Sequence, residues 1–335
     1  MSIKRSKKNK YVKRDIYQEI TNSLIVSLEA GTIPWKKPWV CCGERGLPRS
    51  GATGKPYNGV NHLLTSFAPY ESVWWLTYKQ CKALGGNLKG QKGTQIIKWI
   101  FPPEEKELKA SDDKKKRPFM RCFTVFNLEQ CNLPDKALAW FAARLDDIAP
   151  KMPEYADRES GCLGTYTYAV KVSDDYLERE NIKLSHKGDE AFYAPLDDRI
   201  VMPNENQFNN YSSYLATLFH EEVHSTGHSS RLNRGNDTRS RSGSNEIQVY
   251  SREELVAEIG SSYICGMLGV SNTDTTTNRD AYIKGWLKKL KDDKKAIALA
   301  SSAASKASDY ILNITPCEGD IEFASDTVAE GVTNG

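Results

Sequence analysis

The feature that most constrains this chain is the stretch Phe219-His220-Glu221-Glu222-Val223-His224-Ser225-Thr226-Gly227-His228, which reads H-E-x-x-H. On a helix, positions i and i+4 share a face, so His220 and His224 can offer two imidazoles to one metal ion. Glu221 lies about 100° further round, where it can reach a water on that metal without ligating it. Tyr214, Leu215, Leu218, Phe219 and Val223 make an apolar stripe at helical spacing, which predicts that helix. Three of the five histidines in the chain fall within nine residues here. The alternative is a surface helix carrying incidental histidines. The full pattern favours a zinc-binding helix.

A catalytic zinc takes three protein ligands and keeps one position open. The longer pattern H-E-x-x-H-x-x-G-x-x-H fails, because Ser230 stands where its third histidine belongs. His228 is one helical step from His224 and would point elsewhere if the helix continued, so it is an alternative ligand only. The second source is Arg252-Glu253-Glu254-Leu255-Val256-Ala257-Glu258, read as a helix starting near Ser251. Glu254 and Glu258 share a face, so one can ligate while the other hydrogen-bonds a ligand imidazole. Ser251-x-x-Glu254 also fits a capping box, which would fold Glu254 back on the Ser251 amide. The arrangement is similar to that of the glutamate-zincins, and the likeness implies Glu254 as ligand and Glu258 as the orienting acid. Zinc would lower its water's pKa to roughly 7, with Glu221 as general base. Tyr250 or His228 would stabilise the oxyanion.

The charge is divided along the chain. Residues 1–130 hold 24 Lys and Arg against 11 Asp and Glu, whereas the remaining 205 hold 22 against 32. A basic half joined to an acidic one suggests a polyanion-binding module on an ordinary domain, the alternative being charge asymmetry without function. Five of the seven tryptophans, at 35, 39, 74, 75 and 99, lie in the basic half. In Trp35-Lys36-Lys37-Pro38-Trp39 they alternate with lysines, a combination that stacks bases and tracks phosphates. A tryptophan beside proline is also a common core plug. No apolar run of about 18 residues predicts a membrane span. The basic start, Met1 to Lys13, is followed by no apolar signal core, so the expected location is the cytoplasm. The eight cysteines form no C-x-x-C pair and are read as free thiols.

Taken in order, Asp15 to Ala30 is predicted helical and stopped by Gly31. Gly43 to Asn61 reads as a loop, and Ser72 to Gly85 as a strand end leading into a short helix. Strands are expected at Thr94 to Phe101 and Phe119 to Leu128, with a charged loop, Pro102 to Pro118, between them. Lys136 to Ala149 should be a helix and Pro150 to Gly164 a linker. Beyond it, Thr165 to Val172 reads as a strand and Ile182 to Tyr193 as a hairpin around Gly188. Arg199 to Pro203 reads as an edge strand that could pair with substrate backbone beside the zinc helix. Two further helices are expected at Ala281 to Leu290 and Asp292 to Leu312.

Several motifs together resemble the ArdC-type antirestriction proteins over most of the chain. They include Leu28-Glu29-Ala30-Gly31, Pro34 to Trp39, Gly54-Lys55-Pro56-Tyr57-Asn58-Gly59-Val60-Asn61, Trp75 to Gln80 and Val125-Phe126-Asn127. In the second half they are Asp198 to Pro203, the His220 motif through Arg231-Leu232-Asn233-Arg234, and Glu253 to Glu258. The resemblance implies a two-domain α+β protein. A single-stranded-DNA-binding domain would span residues 1–135, a zincin-like metallopeptidase domain 150–315, and an acidic disordered tail 316–335. It implies a plasmid or phage protein that shields incoming DNA from restriction, with a host protein as possible peptidase substrate and double-stranded DNA as a second form of partner. The residues expected on DNA are Trp35, Lys36, Lys37, Trp39, Tyr57, Asn61, Trp75, Lys79, Gln80 and Lys92. The competing reading is a DNA-binding shield with a structural or vestigial zinc site and no proteolysis.

Overall fold

The computed structural model describes residues 15–31, 33, 35, 47–66, 68–100, 119–148, 163–234, 244–271 and 279–314. The expectations for Lys36, Lys37, Trp39, the 102–118 loop, the Tyr250 side chain and the tail from 316 lie outside these described parts.

Helix α1 (Ile16–Glu29) forms where its pattern predicts. Asp15 caps it by accepting from the Gln18 amide at 3.2 Å, and Gly31 ends it with φ +74°. Its buried stripe is Ile20, Leu24 and Leu28. The predicted loop up to Asn61 contains a two-residue strand, β1 (Arg49–Ser50), and the start of α2 (Gly59–Ser66). Strand β2 (Trp74–Thr77) runs into α3 (Tyr78–Ala83) through a capping box formed by Thr77 and Gln80. Strands β3 (Thr94–Ile100) and β4 (Phe119–Asn127) pair antiparallel, with Thr94 opposite Val125 and Ile100 opposite Phe119. The sheet order is β1-β2-β4-β3, β1 and β2 being parallel.

Successive strand residues face opposite sides, so neighbouring tryptophans on β2 serve two different cores. Trp74 packs on Phe141 of α4 (Asp135–Ile148), with ring centroids 5.2 Å apart. Trp75 faces the other way, into a cluster with Tyr57, Tyr70, Ile96 and Val125.

The second half departs from expectation in four places. Residues 165–172, expected to form a strand, lie inside helix α5 (Leu163–Glu180). Its buried residues Ala169, Ser173, Tyr176 and Leu177 repeat at helical, not strand, spacing. The predicted hairpin does not pair with itself. Gly188 turns the chain, but β5 (Lys183–His186) and β6 (Phe192–Ala194) lie on either side of β7 (Arg199–Met202). Strand β7, expected at the edge, is therefore central, parallel to β5 and antiparallel to β6. Ile200, Val201 and Met202 are all buried whereas β5 and β6 are largely not, so the most apolar strand takes the middle. Pro203 falls after β7 ends and removes no ladder bond. Helix α6 (Tyr211–Ser225) carries the H-E-x-x-H residues and is capped by Asn210. Helix α7 (Ser244–Leu268) begins well before Ser251, which puts Glu254 in mid-helix and removes the capping-box alternative. Helices α8 (Arg279–Asp292) and α9 (Ala296–Ile311) complete the fold.

The two halves share a core. Ile20, Leu24, Leu28, Ile33, Trp35, Val60, Leu63 and Ile97 belong to the same buried cluster as residues of α5, α6, α7, α8 and α9. Trp35 meets Trp286 of α8 edge-on at 5.0 Å, and its carbonyl accepts from Ser262 of α7. The Gly59 amide donates to Ser305 Oγ at 2.7 Å, and Tyr263 donates to the Gly59 carbonyl at 3.1 Å. Helices α6 and α7 cross closely at Gly260, where a Cβ would stand 3.0 Å from both methyls of Val223. Val223 belongs to the motif itself, so this contact fixes how α7 faces the two histidines.

Candidate metal centre and nucleic-acid face

Where α6 and α7 face each other, three side chains point at one spot. His220 Nε2 and His224 Nε2 are 3.2 Å apart, and the Glu254 carboxylate lies 3.5 Å from the first and 3.4 Å from the second. Tetrahedral ligands at about 2.0–2.1 Å from a zinc ion stand roughly 3.3 Å from one another. Glu254 approaches the two rings through different oxygens, Oε2 toward His220 and Oε1 toward His224, and one ligand atom from each of the three residues lies within 4.8 Å of the others, close enough to gather on one ion. Two imidazole nitrogens and a carboxylate oxygen facing each other without a cation would be mutually repulsive or would trap a proton. The donor set fits a divalent metal.

The electrostatics point the same way. Burial alone would push the His224 imidazolium down, but the neighbouring carboxylates of Glu253, Glu254 and Glu221 carry it up to about 10. Burial likewise opposes ionisation of Glu254, yet His220 and His224 hold its carboxyl well below the usual range. The motif's two consecutive glutamates part company. Glu222 turns into the core, where it accepts a hydrogen bond from Ser173, and burial raises its carboxyl to about 8. Glu221 stays close enough to His224 to act on its charge.

The other expected site residues fall as follows. His228 lies past the end of α6, its Nδ1 2.7 Å from Ser230 Oγ, and is not in the converging group. Glu258 is buried one turn further along α7 and is also outside it. A further carboxylate lies beside a ligand imidazole: Glu253 Oε1 is 3.8 Å from His224 Nδ1. The sequence reading passed over it. Its only signal was its place next to Glu254, together with the arginine at 234 that proves to face it.

In the basic half, several expected DNA contacts need correction. Trp35, Tyr57 and Trp75 are 3%, 1% and 2% exposed, so no ring face is free for a base to stack on. The Gln80 side chain accepts from the Thr77 amide at 2.8 Å as part of the α3 cap. Asn61 exchanges two hydrogen bonds with the backbone of Ile97 on β3, at 2.6 and 2.8 Å. These are fold-building roles. Lys79 and Lys92 are exposed, as expected. Among the described residues of this half the exposed aromatic is Tyr78, absent from the expected set: it is 56% exposed at the start of α3, with Lys82 Nζ 6.0 Å from its ring centre.

Residues 171–303 match the family described as a zincin-like metallopeptidase, and residues 14–126 match the N-terminal domain of anti-restriction factor ArdC. The metal-free crystal structure of antirestriction protein ArdC from plasmid R388 is 32% identical, with a TM-score of 0.66, covering 90% of this chain and 98% of that one. The chain belongs to the ArdC antirestriction family. The same R388 protein with Mn(II) bound is 31% identical, with a TM-score of 0.65, over 91% of this chain and all of that one. Two DNA primase TraC proteins of Escherichia coli are each 33% identical over about nine-tenths of this chain, which spans only 20% and 27% of their lengths. This ArdC-family chain is thus a two-domain α+β protein with a divalent-metal site in its zincin-like part and an ArdC-type N-terminal domain. Among the described residues no helix is long and apolar enough to cross a membrane.

Proposed function

We propose that this chain is an antirestriction factor of a mobile element, which binds single-stranded DNA through its basic half and carries a zinc peptidase centre in its acidic half. The observation that carries the second part is the convergence of His220, His224 and Glu254 with Glu221 beside them. A structural zinc site is closed by four protein ligands; three leave a position open for reacting molecules. Zinc bound there would polarise a peptide carbonyl and make water acidic at neutral pH. His220 and His224 would hold the ion through Nε2, with Glu254 as the third ligand. Glu221 would serve as the general base for the attacking water and as the proton donor to the leaving amine. Among the described residues β6 is an edge of the three-stranded sheet and β7 is its centre, so an extended host peptide would pair along β6 rather than along β7.

Single-strand binding rests on the surplus of 24 Lys and Arg over 11 Asp and Glu in residues 1–130 and on the exposed strip from α3 to the following turn. Tyr78 offers the stacking face, and Lys79, Lys82, Lys89 and Lys92 follow the phosphates. Lys36, Lys37 and Trp39 extend this set from the sequence. The same charge favours a second reading of protection, in which coating the strand suffices and the metal centre is dispensable for it.

One experiment separates the two. Glu221→Gln should keep metal, fold and DNA affinity while losing the general-base contribution of about 10²–10⁴-fold in hydrolysis. If incoming DNA loses protection in cells carrying this variant, proteolysis is the mechanism. If protection persists and fails instead in a Tyr78→Ala, Lys79→Ala double variant, coating is. A purified parent chain that takes up no metal would remove the peptidase reading altogether.

A further inference from the structure

The clearest unassigned cluster stands behind the metal centre, where Arg234 reaches across from the turn after α6 to Glu253 on α7. Arg234 Nε lies 3.2 and 3.3 Å from the two Glu253 oxygens, and its Nη2 donates to Oε1 at 2.5 Å. The same guanidinium donates to Thr226 Oγ1 at 2.6 Å and to the Val223 carbonyl at 2.7 Å. It is therefore anchored to the last turn of the helix that carries both histidines. Glu253 Oε1, the oxygen that Arg234 grips most closely, is also the one facing His224 Nδ1 at 3.8 Å.

We propose that Glu253, clamped by Arg234, is the positioning carboxylate of the metal centre, acting on the metal only through His224. The inference rests on the metal-centre reading above. Both imidazoles turn Nε2 toward the shared point. An imidazole that ligates through Nε2 carries its proton on Nδ1, and that N–H needs an acceptor to fix the ring and raise its basicity. Glu253 is the carboxylate placed there. The neighbouring glutamates thus divide the work, Glu254 from the front of the ring and Glu253 from behind it.

Arg234 has a second consequence. Glu221, Glu253 and Glu254 bring three negative charges to a small, largely buried space. One divalent cation and one guanidinium balance them. With both its oxygens held, Glu253 cannot swing forward to fill the open coordination position, which stays available to water and substrate.

The test measures Zn²⁺ and Mn²⁺ affinity of the full chain by chelator competition, together with metal-free thermal melts. Glu253→Ala and Glu253→Gln should each weaken binding by about 10–100-fold. Gln keeps an acceptor oxygen and should lose less. Arg234→Met should weaken binding in the same direction, and Glu254→Ala should abolish it. Metal-free Glu253→Gln should melt with the parent. Affinity within twofold of the parent in both Glu253 variants, while Glu254→Ala loses metal, would overturn the inference and leave the centre intact. Glu253 variants that melt early but keep parental affinity would also overturn it, since they mark a structural anchor alone. Parent protein that binds neither ion would instead defeat the metal-centre reading itself.

Discussion

The metal centre and the basic half answer differently to the same kind of reasoning. At His220 and His224 residue type and spacing left little freedom, because only a helix puts positions four apart on one face and a partner helix must then supply the acid. In the basic half the residue types were right for nucleic acid, but aromatic side chains have two competing uses. Fully burying a large aromatic side chain is worth about 1.5–3 kcal/mol or more, whereas stacking a base on one is worth about 1–3. A tryptophan next to β2 or α8 gains the first in every molecule, and the second only when DNA is bound. Trp35, Trp74 and Trp75 accordingly went inside. Spacing that encodes geometry is a firmer guide to a site than composition that suits a ligand.

That contrast can be broken most directly at Trp75. If it is core, Trp75→Ala should cost on the order of 3–5 kcal/mol in urea unfolding, and any loss of DNA binding should follow loss of fold. A variant that folds like the parent yet no longer binds single strands would return Trp75 to the interface. The converse holds at Tyr78. Tyr78→Ala should leave the unfolding midpoint within about 0.5 kcal/mol, as surface substitutions do. It should weaken single-strand affinity by on the order of 1–3 kcal/mol, at a fixed salt concentration. An unchanged affinity would move the stacking role off α3.

The smallest effect concerns His62, where the halves meet. It is buried against Tyr263 with ring centroids 3.8 Å apart, and burial pushes its imidazolium down to about 3 from the ordinary 6.5. The unfolded chain then binds a proton that the folded chain refuses. Stability from this group is intact above pH 6.5 and is lost progressively as pH falls toward 3. At pH 5.5 the loss should be about 1.4 kcal/mol. His62→Phe should flatten that part of the acid dependence between pH 7.5 and 5.5, relative to the parent. Equal slopes in both proteins would mean that His62 takes up its proton in the folded state.

The fold was legible wherever one local signal dominated. Helix α1 has a cap, a stripe and a terminal glycine, and β3, β4 and α6 have unbroken periodicity. Residues 165–172 belong to a helix rather than the expected strand because the packing that selects α5 comes from Ser173, Tyr176 and Leu177 further along. Strand order in the small sheet was beyond reach for a different reason: whether β7 lies beside β6 alone or between β5 and β6 depends on which faces the helices leave free. At the metal centre the triad was readable from its spacing and a family likeness. The carboxylate behind His224 was not, since Arg234 and Glu253 are 19 residues apart and only the crossing of α6 and α7 brings them together.

Helix α7 holds Glu253 and Glu254 near its middle and, two turns later, Ser262 and Tyr263, which grip Trp35 and Gly59 of the other half. If the gene is carried between hosts, as the proposed function requires, this shared core limits recombination within it. A crossover near residue 135 would join a foreign α1 and α2 to resident α8 and α9, and the mismatch would fall on Leu24, Leu63, Trp286 and Ala300 together. Lineages in this family should therefore exchange the two halves rarely, and where they do, the substitutions that repair the hybrid should cluster along α8 and α9 instead of around the metal.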